Sequence, residues 1–336
     1  MTLKPFIRKI LNKDNLTQDE AKEAISILIS GKENPLQIVA FLTSLSMKDL
    51  AEEEIVGFVQ VMRSNMLSIQ PKISSHLIDN CGTGGDSSGT FNISTVSSFV
   101  IAGAGVTVAK HGNKSISSKS GSSDVIQKLG VPINLSAEES LQNLDTHGIA
   151  FLFAPTFHPA AKNISHIRQE LNFRTLFNLI GPLCNPANVK RQVIGVFDKK
   201  WLKPLGSVLK KLGSHHIILM HGHDGLDELS LTGPTDILEL FPNGDIKEYT
   251  FKPQSLGLDL CSMDDLKGAD PQENALIAKK ILSGEQGAQR DVVCLNAAAA
   301  IYVGGKASSI KEGLSLARAS IDSGAALEKL QRLSSL

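Results

Sequence analysis

From about residue 75 onward the chain alternates short apolar runs with helix-like segments, and several of the runs end in glycine. HLIDNCGTGGD, VTVAKHGN, GIAFLFAP, VIGVF, HHIILMHG and DVVCLNAAAAIYV are compact and apolar. Between them, FNISTVSSFVIAGAG reads as a helix entry, and SSDVIQKLG carries serine and aspartate at its start and glycine at its end, as helix caps do. Such alternation predicts a central, mainly parallel sheet. Residues from about Leu3 to Met66 read differently, as helices with no strand signal. In LTQDEAKEAISILIS, Thr17 and Glu20 have capping-box spacing, and Ala24, Ile25, Ile27 and Leu28 recur at helical spacing. Gly31 then stops that helix, and Pro35 opens the next.

The chain has 336 residues, too many for one small core. The expected fold class is therefore α/β: a small all-helical domain plus a larger α/β domain with a mainly parallel central sheet. The helical domain is expected over 1–70 and the α/β domain over 71–336. Helix-like residues from about 160–190 are expected to rejoin the first. No internal repeat or low-complexity tract interrupts this plan.

Charge narrows the partners. Lys+Arg and Asp+Glu are both 34, so there is none of the basic excess of a nucleic-acid binder. Cys81, Cys184, Cys261 and Cys294 lie far apart without a CxxC pair, which argues against a zinc knuckle or a disulfide scaffold and for a reducing cytoplasm. The N-terminal stretch does not read as a signal peptide, and the weakly polar run Val96–Ala109 is too short to span a bilayer. No membrane role is expected.

Five elements carry chemistry. In Cys81–Asp86, three glycines in four positions permit positive φ and close backbone approach, so successive amides can cradle phosphate. A tight surface turn is the plainer alternative. Ser94 and Thr95, before an apolar helix, are expected to cap it while its free amides face an anion. The run Lys110–Asp124 combines three lysines with many hydroxyls and suits a pyrophosphate, although such loops are often solvated linkers. In Asp224-Gly225-Leu226-Asp227-Glu228, adjacent carboxylates after a strand suggest an oxygen-liganded Mg2+. His215, His216, His221 and His223 nearby have no zinc-ligand spacing and read as strand-end residues, some partnering carboxylates. Arg168 sits on an apolar helix, as a salt-bridge partner or as a bidentate carboxylate binder.

Together, CGTGGD, FNIST, KHGNKSISSKSGSSDV, FLFAPTFHPA, RTLFNLIGPLCNPA and DGLDELS give a chain that resembles the anthranilate phosphoribosyltransferases of tryptophan biosynthesis over nearly its whole length. The resemblance implies a homodimer with its active site at the hinge between the two domains. It implies transfer of the phosphoribosyl group from phosphoribosyl pyrophosphate to the amine of anthranilate. Matching positions for the phosphoribosyl pyrophosphate site are Gly82, Gly85, Asp86, Thr90, Asn92, Ile93, Ser94, Thr95, Lys110, His111, Gly112, Asn113, Lys114, Ser115, Ile116, Ser117, Ser118 and Ser122. For anthranilate they are Gly82, Asn113 and Arg168, with His111 close by. For magnesium they are Ser94, Asp227 and Glu228. No residue is assigned as a general acid or base. Ser87, Lys114 and Asn163 depart from the family pattern, where glycine, arginine and histidine are usual. Rival readings are a pyrimidine nucleoside phosphorylase, a transferase for another aromatic acceptor, and a non-catalytic nucleic-acid-binding or regulatory protein. The first lacks its substrate motif here; the zero net charge and intact carboxylate pair weigh against the last.

Overall fold

A computed structural model describes residues 2–72, 76–86, 88–113 and 120–335. The N-terminal unit is built from α1 (Lys4–Leu11), α2 (Gln18–Ile29), α3 (Pro35–Ser46) and α4 (Glu52–Ser64). The Thr17–Glu20 capping box starts α2 as expected. A Cβ on Gly57 would lie 2.5 Å from the Gln18 carbonyl, so glycine sets how closely α4 crosses α2. Glu54 is fully buried at that junction. It accepts from the amides of Leu16 (2.9 Å) and Ala51 (2.8 Å) and pairs with Lys48 at 2.6 Å.

The remaining elements are β1 (Ile78–Asp79), α5 (Ile93–Gly103), β2 (Val108–Gly112), α6 (Ser122–Lys128), α7 (Ala137–His147), β3 (Ile149–Phe153), α8 (Ala154–Phe157), α9 (Ser165–Leu171) and α10 (Leu176–Ile180). They continue with β4 (Arg191–Gly195), α11 (Leu202–Lys211), β5 (His216–Gly222), β6 (Thr235–Leu240) and β7 (Ile246–Phe251). The chain closes with α12 (Pro271–Leu282), α13 (Ala288–Val303), α14 (Ile310–Asp322) and α15 (Ala325–Ser334). The sheet order is β3-β2-β1-β4-β5-β6-β7. The first five strands run parallel, and β6 and β7 are antiparallel.

Two parts of this order differ from the sequence reading. DVVCLNAAAAIYV, grouped there with the strand-like runs, is helix α13. Its alanines favour helix, and burial on all sides erases the periodicity that would have identified it. Strands β6 and β7 were not anticipated, although Asn243-Gly244, with Gly244 at φ +86°, lies between them and is a hairpin signal.

α9 and α10 pack with the first four helices, since Ile167, Leu176 and Phe177 share a core with Phe41, Leu42 and Phe58. Asn163, just before α9, donates to the Ile29 carbonyl at 2.9 Å, which gives that departure from the family pattern a structural task. The same core continues through Leu205 and Val208 of α11 to Ile217 and Leu238 of the sheet. The opposite face is covered by α5, α13, α14 and α15 through Phe99, Ala297, Ile301, Ala317 and Leu330. The four cysteines are free, and no helix among the described residues is long and apolar enough to cross a membrane.

Strand order reverses around β1. The chain leaves β1 toward β2 on one side and leaves β4 toward β5 on the other, so a crevice opens at the carboxyl ends of β1 and β4. Open α/β sheets bind ligands at such a point. Glu54→Ala should strip Lys48 and two amides of their shared acceptor and lower the unfolding free energy by about 3 kcal/mol, read from the denaturant midpoint.

Candidate active site

At the crevice floor, β1 ends on the fully buried Asp79. Its carboxylate accepts from the His111 amide (3.2 Å), Asn185 Nδ2 (2.8 Å) and Cys81 Sγ (3.1 Å). Burial pushes Asp79 above the ordinary carboxylate range, and the nearby Lys110 ammonium offsets this only in part. Lys110 was expected in a flexible lysine-rich loop. It is instead a buried residue of β2, whose Nζ donates to the Asn80 carbonyl at 2.9 Å. It lies beneath the site as a fixed positive charge.

The glycine loop follows β1. Thr83 fastens it to the end of β4: its amide donates to the Gly195 carbonyl at 2.9 Å, and its Oγ1 accepts from the Phe197 amide at 3.0 Å. Gly84 and Gly85 take φ of +67° and +78°, a region closed to most side chains. The Gly84 amide donates to Asp227 Oδ2 at 3.0 Å. A Cβ on Gly82 would lie 2.6 Å from that same oxygen, and one on Gly195 would lie 1.5 Å from the Asp227 carbonyl. Asp227 fits here because both neighbours are glycine.

Asp227 and Glu228 keep some solvent contact but are crowded by protein on their other sides. That desolvation raises both carboxyls well above the usual range. Asp86 adds repulsion at Asp227, and Asp227 adds it at Glu228, while Lys110 draws Glu228 down. Glu228 Oε1 accepts from the Ser94 amide at 3.1 Å. The segment after it is held by Asn296 of α13, which exchanges hydrogen bonds of 2.8 and 2.9 Å with the Leu229 backbone.

Asp224 stands apart from this pair. It accepts from the Leu226 amide (3.0 Å) and from the hydroxyls of Ser230 and Thr232, and so fastens its own turn. The histidines nearby are strand-end residues. His216 and His223 lie 2.9 and 3.0 Å from Glu239 and Asp236, while His221 Nδ1 is 2.8 Å from the Val196 carbonyl.

Ser94 and Thr95 do not cap α5. Asn92 is its N-cap residue, without a side-chain cap bond, and Ser94 and Thr95 lie inside the first turn. The carboxylate of Glu228 takes an amide there instead, at the positive end of the helix. Asn92 Oδ1 accepts from Ser120 Oγ (3.1 Å) and Asn274 Nδ2 (3.0 Å), tying the helix start to two neighbouring segments. Ile93 is buried in the core, and Thr90 pairs with Lys267 in an isolated bridge.

Lys114, Ser115, Ile116, Ser117 and Ser118 lie outside the described residues, as does Ser87. The segment's flanks meet: Ser122 Oγ donates to the Asn113 carbonyl at 3.2 Å, close beside Gly112.

Arg168, on α9, is largely enclosed, and burial lowers its guanidinium to about 10. It lies 4.9 Å from the centre of the Phe177 ring, and its Nε has no hydrogen-bond partner. Among the described residues it forms no ion pair, so the salt-bridge alternative finds no support. His111 and His158 meet at a tilt with ring centres 5.1 Å apart, and burial pushes them down to about 3 and 4, so both are neutral near pH 7. His158 and Arg174 were not singled out from sequence. Arg174 donates to the Gly85 carbonyl and lies 4.4 Å over the Phe197 ring.

Among the described residues, no three His, Cys, Asp or Glu side chains converge as a set able to hold a metal ion alone. Two crowded carboxylates are nonetheless the partial donor set that Mg2+ uses when phosphate oxygens complete its shell.

Fold and site together define a glycosyl transferase built from a helical bundle and an α/β unit. Residues 4–66 match the helical bundle domain of that glycosyl transferase family, and residues 74–327 match its a/b domain. Anthranilate phosphoribosyltransferases of Rhodopseudomonas palustris (strain CGA009) and Azorhizobium caulinodans are 48% and 46% identical over 330 residues. Those alignments cover 98% of this chain and 97% and 95% of theirs. The anthranilate phosphoribosyltransferase structure from Thermus thermophilus superposes with a TM-score of 0.91 at 38% identity, covering 98% of each chain. The Saccharomyces cerevisiae enzyme in complex with PRPP and Mg gives 0.90 at 28% identity, covering 99% of this chain and 98% of that one. The chain belongs to the anthranilate phosphoribosyltransferase family.

Raised carboxyls mean that the folded chain holds protons the unfolded chain has released. The pair's contribution to metal-free stability should therefore be greatest below the ordinary carboxylate range and fall as pH rises toward neutrality. Melting temperatures measured from about pH 5 to about pH 8 should show this fall. Asp227→Asn should flatten it.

Proposed function

We propose that this chain transfers the 5-phosphoribosyl group from phosphoribosyl pyrophosphate to the amine of anthranilate, giving N-(5-phosphoribosyl)anthranilate and pyrophosphate. The observation that carries the reading is the crowded carboxylate pair at the strand ends, set directly behind a glycine loop and a helix N-terminus. Two carboxyls held so close favour a ligand that arrives with a divalent cation.

Asp227, Glu228 and Ser94 would hold Mg2+, which when bound would neutralise charge on the departing pyrophosphate. The amides of Gly82–Asp86 and the start of α5 bind phosphate and ribose oxygens. The run Lys110–Ser118 and Ser122 complete the grip on the donor, with Lys110 acting from below as a buried charge. Arg168 takes the anthranilate carboxylate through its guanidinium, with Asn113 and Gly82 beside the ring. This fixes the amine in line with C1 of the ribose. Bare backbone at Gly82 leaves that line open. Catalysis is mainly positioning and charge stabilisation, since an aromatic amine needs no strong base to attack an oxocarbenium-like centre. The reading takes residues 1–70 with about 160–190 as the helical domain and 71–336 as the α/β domain. It also carries a homodimer working in the cytoplasm.

Purified protein mixed with phosphoribosyl pyrophosphate, Mg2+ and anthranilate should remove anthranilate fluorescence. Unchanged fluorescence would overturn the acceptor. Asp227→Asn combined with Glu228→Gln should abolish Mg2+-dependent turnover, and near-normal rates would sink the metal assignment. Arg168→Ala should raise the KM for anthranilate at least about tenfold, the loss of one charge-assisted contact, while moving the donor KM far less. Equal effects on both would instead mark Arg168 as structural.

A further inference from the structure

The glycine loop is held on three sides. Thr83 binds it to the backbone beyond β4, Asp227 takes the Gly84 amide, and Arg174 takes the Gly85 carbonyl. The first two anchors belong to the α/β unit, whereas the third comes from the helical unit. Arg174 follows α9, whose last turn closes on Asn172 in a left-handed conformation (φ +46°). The next buried apolar residues, Leu176 and Phe177, are set in the helical core. The Arg174 carbonyl accepts from Ser46 Oγ, at the end of α3, at 3.2 Å. Its main chain is thus fixed by helices while its side chain reaches across the crevice.

That reach is shaped at both ends. The guanidinium lies 4.4 Å over the ring of Phe197, whose own amide holds Thr83. At Gly85 a Cβ would come within 2.8 Å of Arg174 Nε, so a side chain there would push the arginine from its present place. Among the described residues Arg174 forms no ion pair. A cation on an aromatic face without a carboxylate is free to serve the backbone carbonyl it meets. Arg168, six residues earlier, is the residue that the transfer reading assigns to the acceptor, so on that reading one short segment serves both acceptor and donor loop.

We propose that Arg174 is a positioning residue that bolts the glycine loop to the helical unit and so sets the loop's shape for the phosphoribosyl donor. The proposal rests on the transfer reading above and adds to it the link from helical unit to donor loop. With Arg174 in place, Gly84 and Gly85 keep their positive φ before the donor arrives. Without it, donor binding must order them.

The test compares wild type with Arg174→Ala by steady-state kinetics and by hydrogen exchange over residues 80–91. The variant should show a donor KM raised about tenfold or more, the size of one charge-assisted contact, with little change in the anthranilate KM. Its loop amides should exchange faster without ligand, and added guanidinium should restore part of the donor affinity. Melting temperature should stay near wild type, because the side chain is exposed. Phe197→Leu, which removes the platform and keeps the backbone, should shift the same two readouts in the same direction to a smaller degree. An unchanged donor KM, or a raised one with unchanged loop exchange, would overturn the positioning role. Absence of turnover in wild type would instead overturn the transfer reading, and the hydrogen-exchange comparison would still decide the role of Arg174.

Discussion

The structure turns on a carboxylate wedged between two backbones. Asp227 lies where side chains at Gly82 or Gly195 would collide with it, and its charge is raised in cost by Glu228 and Asp86 alongside. Everything near it acts to make that placement tolerable. Gly84 and Ser94 offer amides, and Lys110 supplies a buried positive charge from below. Asn296 holds the following loop segment in place from a helix on the far face. A protein keeps such a cluster at a strand end when a ligand or cation relieves it, which ties the shape of the loop to its chemistry.

Topology explains why the cluster sits there. The reversal of strand order at β1 parts the chain on either side and leaves the ends of β1 and β4 open. The glycine loop from β1 lies against the backbone leaving β4, and the 224–228 turn from β5 drops between them. The helical unit closes one wall, because α9 and α10 share its core while Arg174, between them, reaches the glycine loop. The continuous apolar core from the helices through α11 to the sheet makes that wall part of the same body of packing.

Much of this was legible in the residues. Adjacent acids after HIILMHG, three glycines after HLID and a lone arginine on an apolar helix each signal local chemistry, and the structure gathers the first two around one crevice. What could not be read is tertiary in origin. Lys110 looks like a loop lysine because its burial is created by strands distant in sequence. Asp224 looks like the third acid of a cluster, yet two hydroxyls six and eight residues on claim it. Asn296 is hidden in an alanine-rich helix, and Arg174 in a polar turn with no periodicity. The caps expected at Ser94 and Thr95 failed for the same reason: a distant glutamate does that work.

On the proposed function, the raised carboxyls hold protons that binding of the metal-bound donor would displace. Calorimetry of preformed magnesium phosphoribosyl pyrophosphate binding, run near neutral pH in two buffers of different ionisation enthalpy, measures this directly. The account predicts a buffer-dependent heat that corresponds to proton release. A heat that is identical in both buffers would contradict it.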